Sequence, residues 1–327
     1  MKAWFNIYGV ILKVESDHPL AFETISKELH PFRLGQNGRR NGTLQLKIST
    51  LHSLKGKKSS PLIFPYYDEF MTKRLTPQRG VVIRYAKTDI LASSHPDKPL
   101  IEAAASFRRD IFPDPAFHYL FTQTVSPWFK QRGLFFLHAS GVAEKGLGIL
   151  IIGKPEAGKS VLSTSAVRGG FQFLSDEQPV LSLTHGKVIA HAFPRRIRLD
   201  RKVAALIPEL HRLVKSSSSE RLIFPMEMIR PHCSIASCWP RILVFPRFHL
   251  RGRLRITRLT PTQAFGELLQ EDYFVWYRNS PWTRFCRKHL TLFEHLVRQT
   301  KAFALEYGNR DILGIPALFR KLLHDEE

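Results

Sequence analysis

Residues 148–181 read GILIIGKPEAGKSVLSTSAVRGGFQFLSDEQPVL, and this stretch constrains the fold more than any other. An apolar run leads into a loop bounded by glycines. A helix-length segment follows, and then a second apolar run ends in two adjacent acids. The loop residues Gly153, Lys154, Pro155, Glu156, Ala157, Gly158, Lys159 and Ser160 satisfy the pattern G-x-x-x-x-G-K-[ST]. Backbone N–H groups can surround phosphate oxygens only where no Cβ stands in the way, which is why the glycines bound the loop. Lys159 then reaches the β- and γ-phosphates, and the Ser160 hydroxyl is a ligand for Mg2+. A helix starting at Lys159 points its partly positive N-terminus at the same phosphates. Strand, loop, helix, strand is the order that a phosphate-binding unit requires. The expected donor is ATP with Mg2+.

The metal needs a carboxylate, and Asp176 and Glu177 stand where the second strand ends. Adjacent residues of a strand point to opposite faces. One acid is therefore expected to hold the metal, as Asp176 does in this reading, and the other to face a substrate hydroxyl. An acid fixed by a rigid strand can accept the proton that a hydroxyl loses as it attacks a γ-phosphoryl group. His138 lies at the tip of the neighbouring apolar run, within reach of such an acid or of a phosphate oxygen. Arg247 follows Pro246 at the end of the run PRILVFPRF and is the first candidate for a cation on the transferring group, followed by Arg195.

Lys and Arg outnumber Asp and Glu by 49 to 28, a formal charge of +21. A field of that sign attracts nucleotides, nucleic acid, anionic lipid or an acidic peptide. The segment RFHLRGRLRITR alternates, so strand period places Arg251, Arg253 and Arg255 on one face, either a solvated sheet face or a track for an acidic peptide or an anionic carrier. Nucleic acid fits less well, because the aromatic residues do not interleave with the basic ones as a stacking platform requires. Three cysteines in 327 residues make no disulfide framework. The spacing of His232, Cys233 and Cys238 suits idle thiols better than zinc, which fits a reducing cytoplasm. No segment reaches the roughly 18 uninterrupted apolar residues of a spanning helix.

The pattern divides the chain into a mixed, strand-rich N-terminal domain over 1–125 and an α/β P-loop domain over 126–327. WFNIYGVILKV suits a first strand, and TLQLKIST, RGVVIRYAK and TDILASS suit further strands. AAASFRRDIF has helical composition, and FHYLFTQTVSPWFKQRG resembles a helix broken by Pro127. The runs LFFLHASGV and GLGILIIG suit strands buried on both faces. LRITRLT suits another strand, TPTQAFGELLQ a helix, and WTRFCRKHLTLFEHLVRQTKAFAL one long amphipathic helix. RDILGIPALFRKLLHDE closes the chain as a terminal helix.

At these residues the sequence resembles the HPr kinase/phosphorylase superfamily, and within it the shorter HPr-kinase-related proteins found near peptide-maturation genes. LHASGV carries His138 a hairpin's length before the loop, GKPEAGKS matches the phosphate-binding segment, and RGGFQFLSDE resembles the Arg-Gly-His-x-x-x-x-Asp-Asp block. The resemblance implies an HPr-kinase-like P-loop fold with His138 and Lys159 in the active site and Ser160 on magnesium. It aligns Glu177 with the acid that takes the proton from a serine hydroxyl, and Asp176 with that acid's neighbour. The base position is Glu where the family has Asp, and Val161 stands where HPr kinases have an acid. The long signature of the bifunctional enzymes is not recognisable, which argues against phosphorolysis and against HPr as substrate. Residues 1–125 do not resemble the family's N-terminal domain and are the expected region of acceptor recognition. The resemblance admits a homo-oligomer.

Taken together, the sequence predicts a cytoplasmic ATP- and Mg2+-dependent kinase that phosphorylates a serine-type hydroxyl of a peptide or small protein, with a small-molecule acceptor as a close variant. The rival readings are a nucleotide-binding regulatory or assembly protein with little catalysis, and an NTPase associated with nucleic acid.

Overall fold

The computed structural model describes residues 1–35, 43–50, 71–76, 80–85, 90–95, 98–105, 121, 123–193, 197–249, 253–271 and 286–324. The fold is mixed α/β with more than one sheet. The chain divides into two compact units, the first Met1–Gly133 with Val275–Lys288 and the second Leu134–Phe274 with His289–Glu327.

In the first unit β1 (Lys2–Ile7) and β2 (Val10–Ser16) form a hairpin. The sequence pattern suggested one strand here. The structure splits it because Tyr8 and Gly9 both adopt positive φ, 50° and 90°, the conformation of a two-residue hairpin turn whose twist matches that of the strands. A Tyr in the first turn position hides the signal that Asn or Asp would give. α1 (Pro19–Glu28) follows, with Pro at its start and the His18 ring accepting from Ala21 N at 3.4 Å. Then come β3 (Leu44–Thr50), β4 (Met71–Thr76), β5 (Gly80–Tyr85), β6 (Ile90–His95), β7 (Lys98–Ala105) and α2 (Gln123–Gln131). The sheet order is β1-β2-β3-β7-β6-β5-β4. β3 lies parallel to both β2 and β7, and the remaining pairs are antiparallel. Ala103–Ala105, expected to be helical, belong to β7, where pairing with β3 and β6 overrides alanine's helix propensity. The rest of that expected helix lies outside the described residues. α2 continues through Pro127, which the sequence pattern treated as a break.

The second unit begins with β8 (Leu134–Phe136), β9 (Ala139–Glu144), β10 (Leu147–Ile152), α3 (Lys159–Arg168) and β11 (Gln172–Ser175). β12 (Val180–Thr184), β13 (Lys187–His191), β14 (Ile197–Asp200), α4 (Arg201–Ala204), α5 (His211–Ser216) and β15 (Arg221–Phe224) follow. The unit is completed by β16 (Ser237–Phe248), β17 (Arg255–Leu259), α6 (Pro261–Glu271), α7 (Cys286–Gln299), β18 (Lys301–Tyr307) and α8 (Ile315–His324). β16 is long enough to serve two neighbourhoods. Its first residues pair antiparallel with β13, leading on to β12 and β8, while its later residues run parallel to β10 on one side and β18 on the other. β9 pairs antiparallel with β10 and β11, and β17 antiparallel with β18.

The two faces of this sheet carry separate apolar cores. One face packs Ile149, Ile151, Val244, Leu305 and Tyr307 against Leu162 and Val167 of α3 and Phe319 of α8. The other packs Leu150, Ile152, Leu243 and Phe245 against Leu268 of α6 and Phe293 and Leu296 of α7. Strands buried on both sides explain the continuous apolar runs in the sequence. The long helix expected over WTRFCRKHLTLFEHLVRQTKAFAL ends at Gln299, and KAFALEY is β18. That segment pairs with β16 and β17, partners too distant in sequence for local periodicity to reveal. Thr260 and Gln263 cap α6 reciprocally, with Gln263 N donating to Thr260 Oγ1 at 3.3 Å and Thr260 N to Gln263 Oε1 at 2.9 Å.

α8 docks closely enough to be tested. A Cβ on Gly169 would lie 2.2 Å from Pro316 Cβ, a ring atom that cannot rotate aside. Gly169→Ala is expected to lower the urea unfolding free energy by about 1–3 kcal/mol. An unchanged unfolding midpoint would show that α8 does not pack against the end of α3.

Candidate functional site

β10, β16 and β18 run parallel, so their carboxyl ends share one edge of the sheet, and the segment 153–158 leaves β10 there. Crevices outside the carboxyl ends of parallel strands are where open α/β sheets place ligands. Close contacts beneath the loop shape it. A Cβ on Gly153 would meet Ala157 Cβ at 3.2 Å and Pro246 Cδ at 3.4 Å. Gly158 has φ +90°, and a Cβ there would sit 1.8 Å from the hydroxyl oxygen of Tyr307. The buried Tyr307 hydroxyl lies 3.4 Å from the carbonyl of Ala157 and 3.3 Å from that of Gly158, positioned to donate to either. Burial pushes its pKa up, so it stays a neutral donor. Glu156 also has positive φ and meets Arg221 at 3.2 Å in an exposed ion pair.

α3 begins directly after this turn. The Lys159 side chain is buried, and its Nζ donates to Gly153 O at 2.7 Å and Lys154 O at 3.2 Å. Its ammonium group is thereby folded back across the mouth of the loop. Ser160 Oγ donates to Asp176 Oδ2 at 2.9 Å, and the buried Ser140 hydroxyl on β9 donates to Asp176 Oδ1. Asp176 is fully buried. Burial is the largest effect on it and raises its pKa to about 6, with the Glu177 charge acting the same way; the hydroxyls of Ser140 and Ser160 and the Lys159 charge oppose them.

The two acids differ from their sequence expectation in one respect. They stand beyond β11 in a turn, closed by Gln178 N donating to Asp176 O at 2.9 Å, rather than on the strand. Glu177 has φ +69°. The turn, not strand alternation, sends Asp176 inward and leaves Glu177 with about a third of its side chain exposed. Glu177 Oε2 lies 3.2 Å from His138 Nε2. His138 sits on the short link between β8, which pairs with β12, and β9, which pairs with β10 and β11.

The structure therefore joins Ser160 to Asp176 by a hydrogen bond, with the Lys159 charge acting on the same carboxylate, and sets the Glu177–His138 pair next to Asp176 in the chain. Arg247 stands at the end of β16 on the same edge, with its side chain exposed and paired to Glu267 of α6 at 3.4 Å. Of the basic track, Arg253 and Arg255 are exposed, while Arg251 and the second-choice Arg195 lie outside the described residues. Ser140 had no sequence signal. A lone serine in an apolar strand becomes visible as a partner of Asp176 only once β9 is placed beside β11.

No family model matches the sequence, and no curated protein matches it. Among solved structures the chain is similar to the Hpr(Ser) kinase/phosphatase from Coxiella burnetii, at 10% identity and a TM-score of 0.32, over 58% of this chain and 94% of that one. That overlap is too loose to transfer a role to any residue here. Among the described residues no helix is long and apolar enough to cross a membrane.

Two measurements probe this geometry. Because the folded pKa of Asp176 lies above its ordinary value of 3.8, the folded state binds the extra proton between about pH 4 and 6. The contribution of Asp176 to stability is greatest below that window and falls as pH rises through it, by about 3 kcal/mol when complete. With divalent cations chelated, Asp176→Asn should therefore be more stable than the wild type at pH 8 and gain nothing at pH 4; a variant that loses more at pH 8 than at pH 4 refutes the buried charge. Gly158→Ala should lower the melting temperature more than Gly266→Ala, since a Cβ at Gly266 meets nothing within 4 Å; equal shifts would show that Tyr307 does not brace the loop.

Proposed function

We propose that this chain is a kinase of the HPr-kinase-like kind, using ATP and Mg2+ to phosphorylate a serine-type hydroxyl of a peptide or small protein. The observation that carries the reading is the division of labour between the two acids. Asp176 is buried with both oxygens engaged by hydroxyls, whereas Glu177 is open to an incoming group and backed by His138.

Asp176 and Ser160 present only oxygen donors, the set that a hard divalent cation takes, and the buried carboxylate is short of positive charge. Ser160 and Asp176 would hold Mg2+, which would supply charge neutralisation to the phosphates. In this reading the backbone of residues 153–158 and the start of α3 cradle the phosphates, and Lys159 turns from the loop carbonyls to the β- and γ-phosphates. Glu177 accepts the proton from the acceptor hydroxyl as the hydroxyl oxygen bonds to the γ-phosphorus and the bond from that phosphorus to the β,γ-bridging oxygen breaks, releasing ADP. His138 holds the Glu177 carboxylate in orientation. Arg247 is one ion pair away from service as a further cation on the transferring group. The segments 1–125 and 126–327 would act as acceptor-recognition and kinase domains. An acidic acceptor suits the net charge of +21 and the exposed Arg253 and Arg255. The buried thiols of Cys233 and Cys238 agree with a reducing cytoplasm.

Incubation of the whole protein with labelled ATP, Mg2+ and acidic serine-containing peptides tests the reading. Glu177→Gln should lower phosphate transfer by about 100-fold or more while leaving nucleotide binding intact, and Lys159→Ala should abolish binding. Mg2+ should raise the melting temperature of the wild type but not that of Asp176→Asn. Transfer that survives Glu177→Gln unchanged would remove Glu177 as the base. Nucleotide binding without transfer to any acceptor would leave a regulatory nucleotide-binding protein.

A further inference from the structure

Beyond the phosphate cradle, the same edge of the sheet carries an apolar surface that the roles above leave unused. Phe248 is the last residue of β16 and stands in register with Tyr307, the last residue of β18. The two rings meet edge to face with centroids 5.4 Å apart. Tyr307 is fully buried beneath Gly158, but Phe248 is 38% exposed. One ring thus props the loop, and the next continues outward from it as an open surface. Across β18, Ile256 is in register with Leu305, two residues before Tyr307 and therefore on the same face. Ile256 is 38% exposed and Leu254 45%.

Phe248 stands beside the loop because its ring packs on Tyr307, whose hydroxyl lies under Gly158. The backbone holds the Phe248 ring in place. His249 N donates to Tyr307 O at 2.9 Å, so the end of β16 cannot splay away from β18. Pro246, two residues before Phe248 on the same strand face, packs under Gly153 at the start of the loop. A single strand end thus supports the loop and presents the aromatic ring beside it.

We propose that Phe248 is the shelf on which the purine ring of the bound nucleotide stacks. The inference rests on the nucleotide reading given above and extends it from the phosphates to the base. A flat aromatic surface next to a phosphate cradle, at the carboxyl ends of parallel strands, is where the far end of a nucleotide would come to lie. A purine face is the matching partner for a half-exposed phenylalanine. Stacking of a base on an aromatic side chain contributes enough to be measured when the ring is truncated.

Calorimetric titration of the full chain with Mg2+ and two probes separates the shelf from the cradle. The probes are a non-hydrolysable ATP analogue, which has a base, and inorganic tripolyphosphate, which has none. Phe248→Ala is expected to weaken the analogue about tenfold and to leave tripolyphosphate binding unchanged. Phe248→Trp should bind the analogue as the wild type does and report it by quenching of the new indole. Analogue binding that is indifferent to Phe248→Ala, or equal losses for both probes, overturns the shelf while the nucleotide reading stands. A wild type that binds neither probe overturns both.

Discussion

A buried carboxylate organises the second unit. Asp176 lies wholly inside the protein, where an ionised acid is expensive unless donors surround it. The two donors come from different elements, Ser140 from β9 and Ser160 from the first turn of α3. The acid itself follows β11. One side chain therefore ties together β9, the first turn of α3 and the end of β11. The pairing is incomplete as a charge balance, because the nearby Glu177 charge and the burial both work against ionisation.

The loop is held from below in the same economical way. Tyr307 ends β18, which is two strands away from β10, yet its hydroxyl reaches the carbonyls of Ala157 and Gly158. The left-handed conformation at Gly158 leaves no room for a side chain against that hydroxyl. The requirement for glycine here is therefore tertiary as well as local. Parallel pairing of β10, β16 and β18 brings Gly153, Pro246 and Tyr307 to one edge, so loop shape depends on strand register.

The split between the two acids follows from backbone geometry. Had they stayed on β11, alternation would have sent them to opposite faces of the sheet. Instead Glu177 takes positive φ in a turn, and the two carboxylates leave the chain from a bend. Positive φ in a residue with a Cβ is a strained choice that persists only where the surroundings enforce it. Here it gives neighbouring acids two different environments, one sealed by hydroxyls and one open beside His138.

Much of the second unit was legible because its signals are local. The glycine spacing of 153–160, the apolar runs on either side and the helix-length gap after Ser160 each depend on a few consecutive residues, and they place the loop, α3 and β11. Other features depended on partners far away in the chain. KAFALEY reads as a continuation of α7 until β16 and β17 pair with it. Arg247 reads as a free cation until Glu267 of α6 comes beside it. Ser140 reads as an apolar strand's lone hydroxyl until β9 and β11 are adjacent. By itself the sequence determined the phosphate-loop pattern and the presence of two acids downstream, because steric and capping rules act between near neighbours. Only the tertiary structure decided which acid is buried, what holds it and what supports the loop, because those outcomes depend on strand register and packing between residues far apart in the chain.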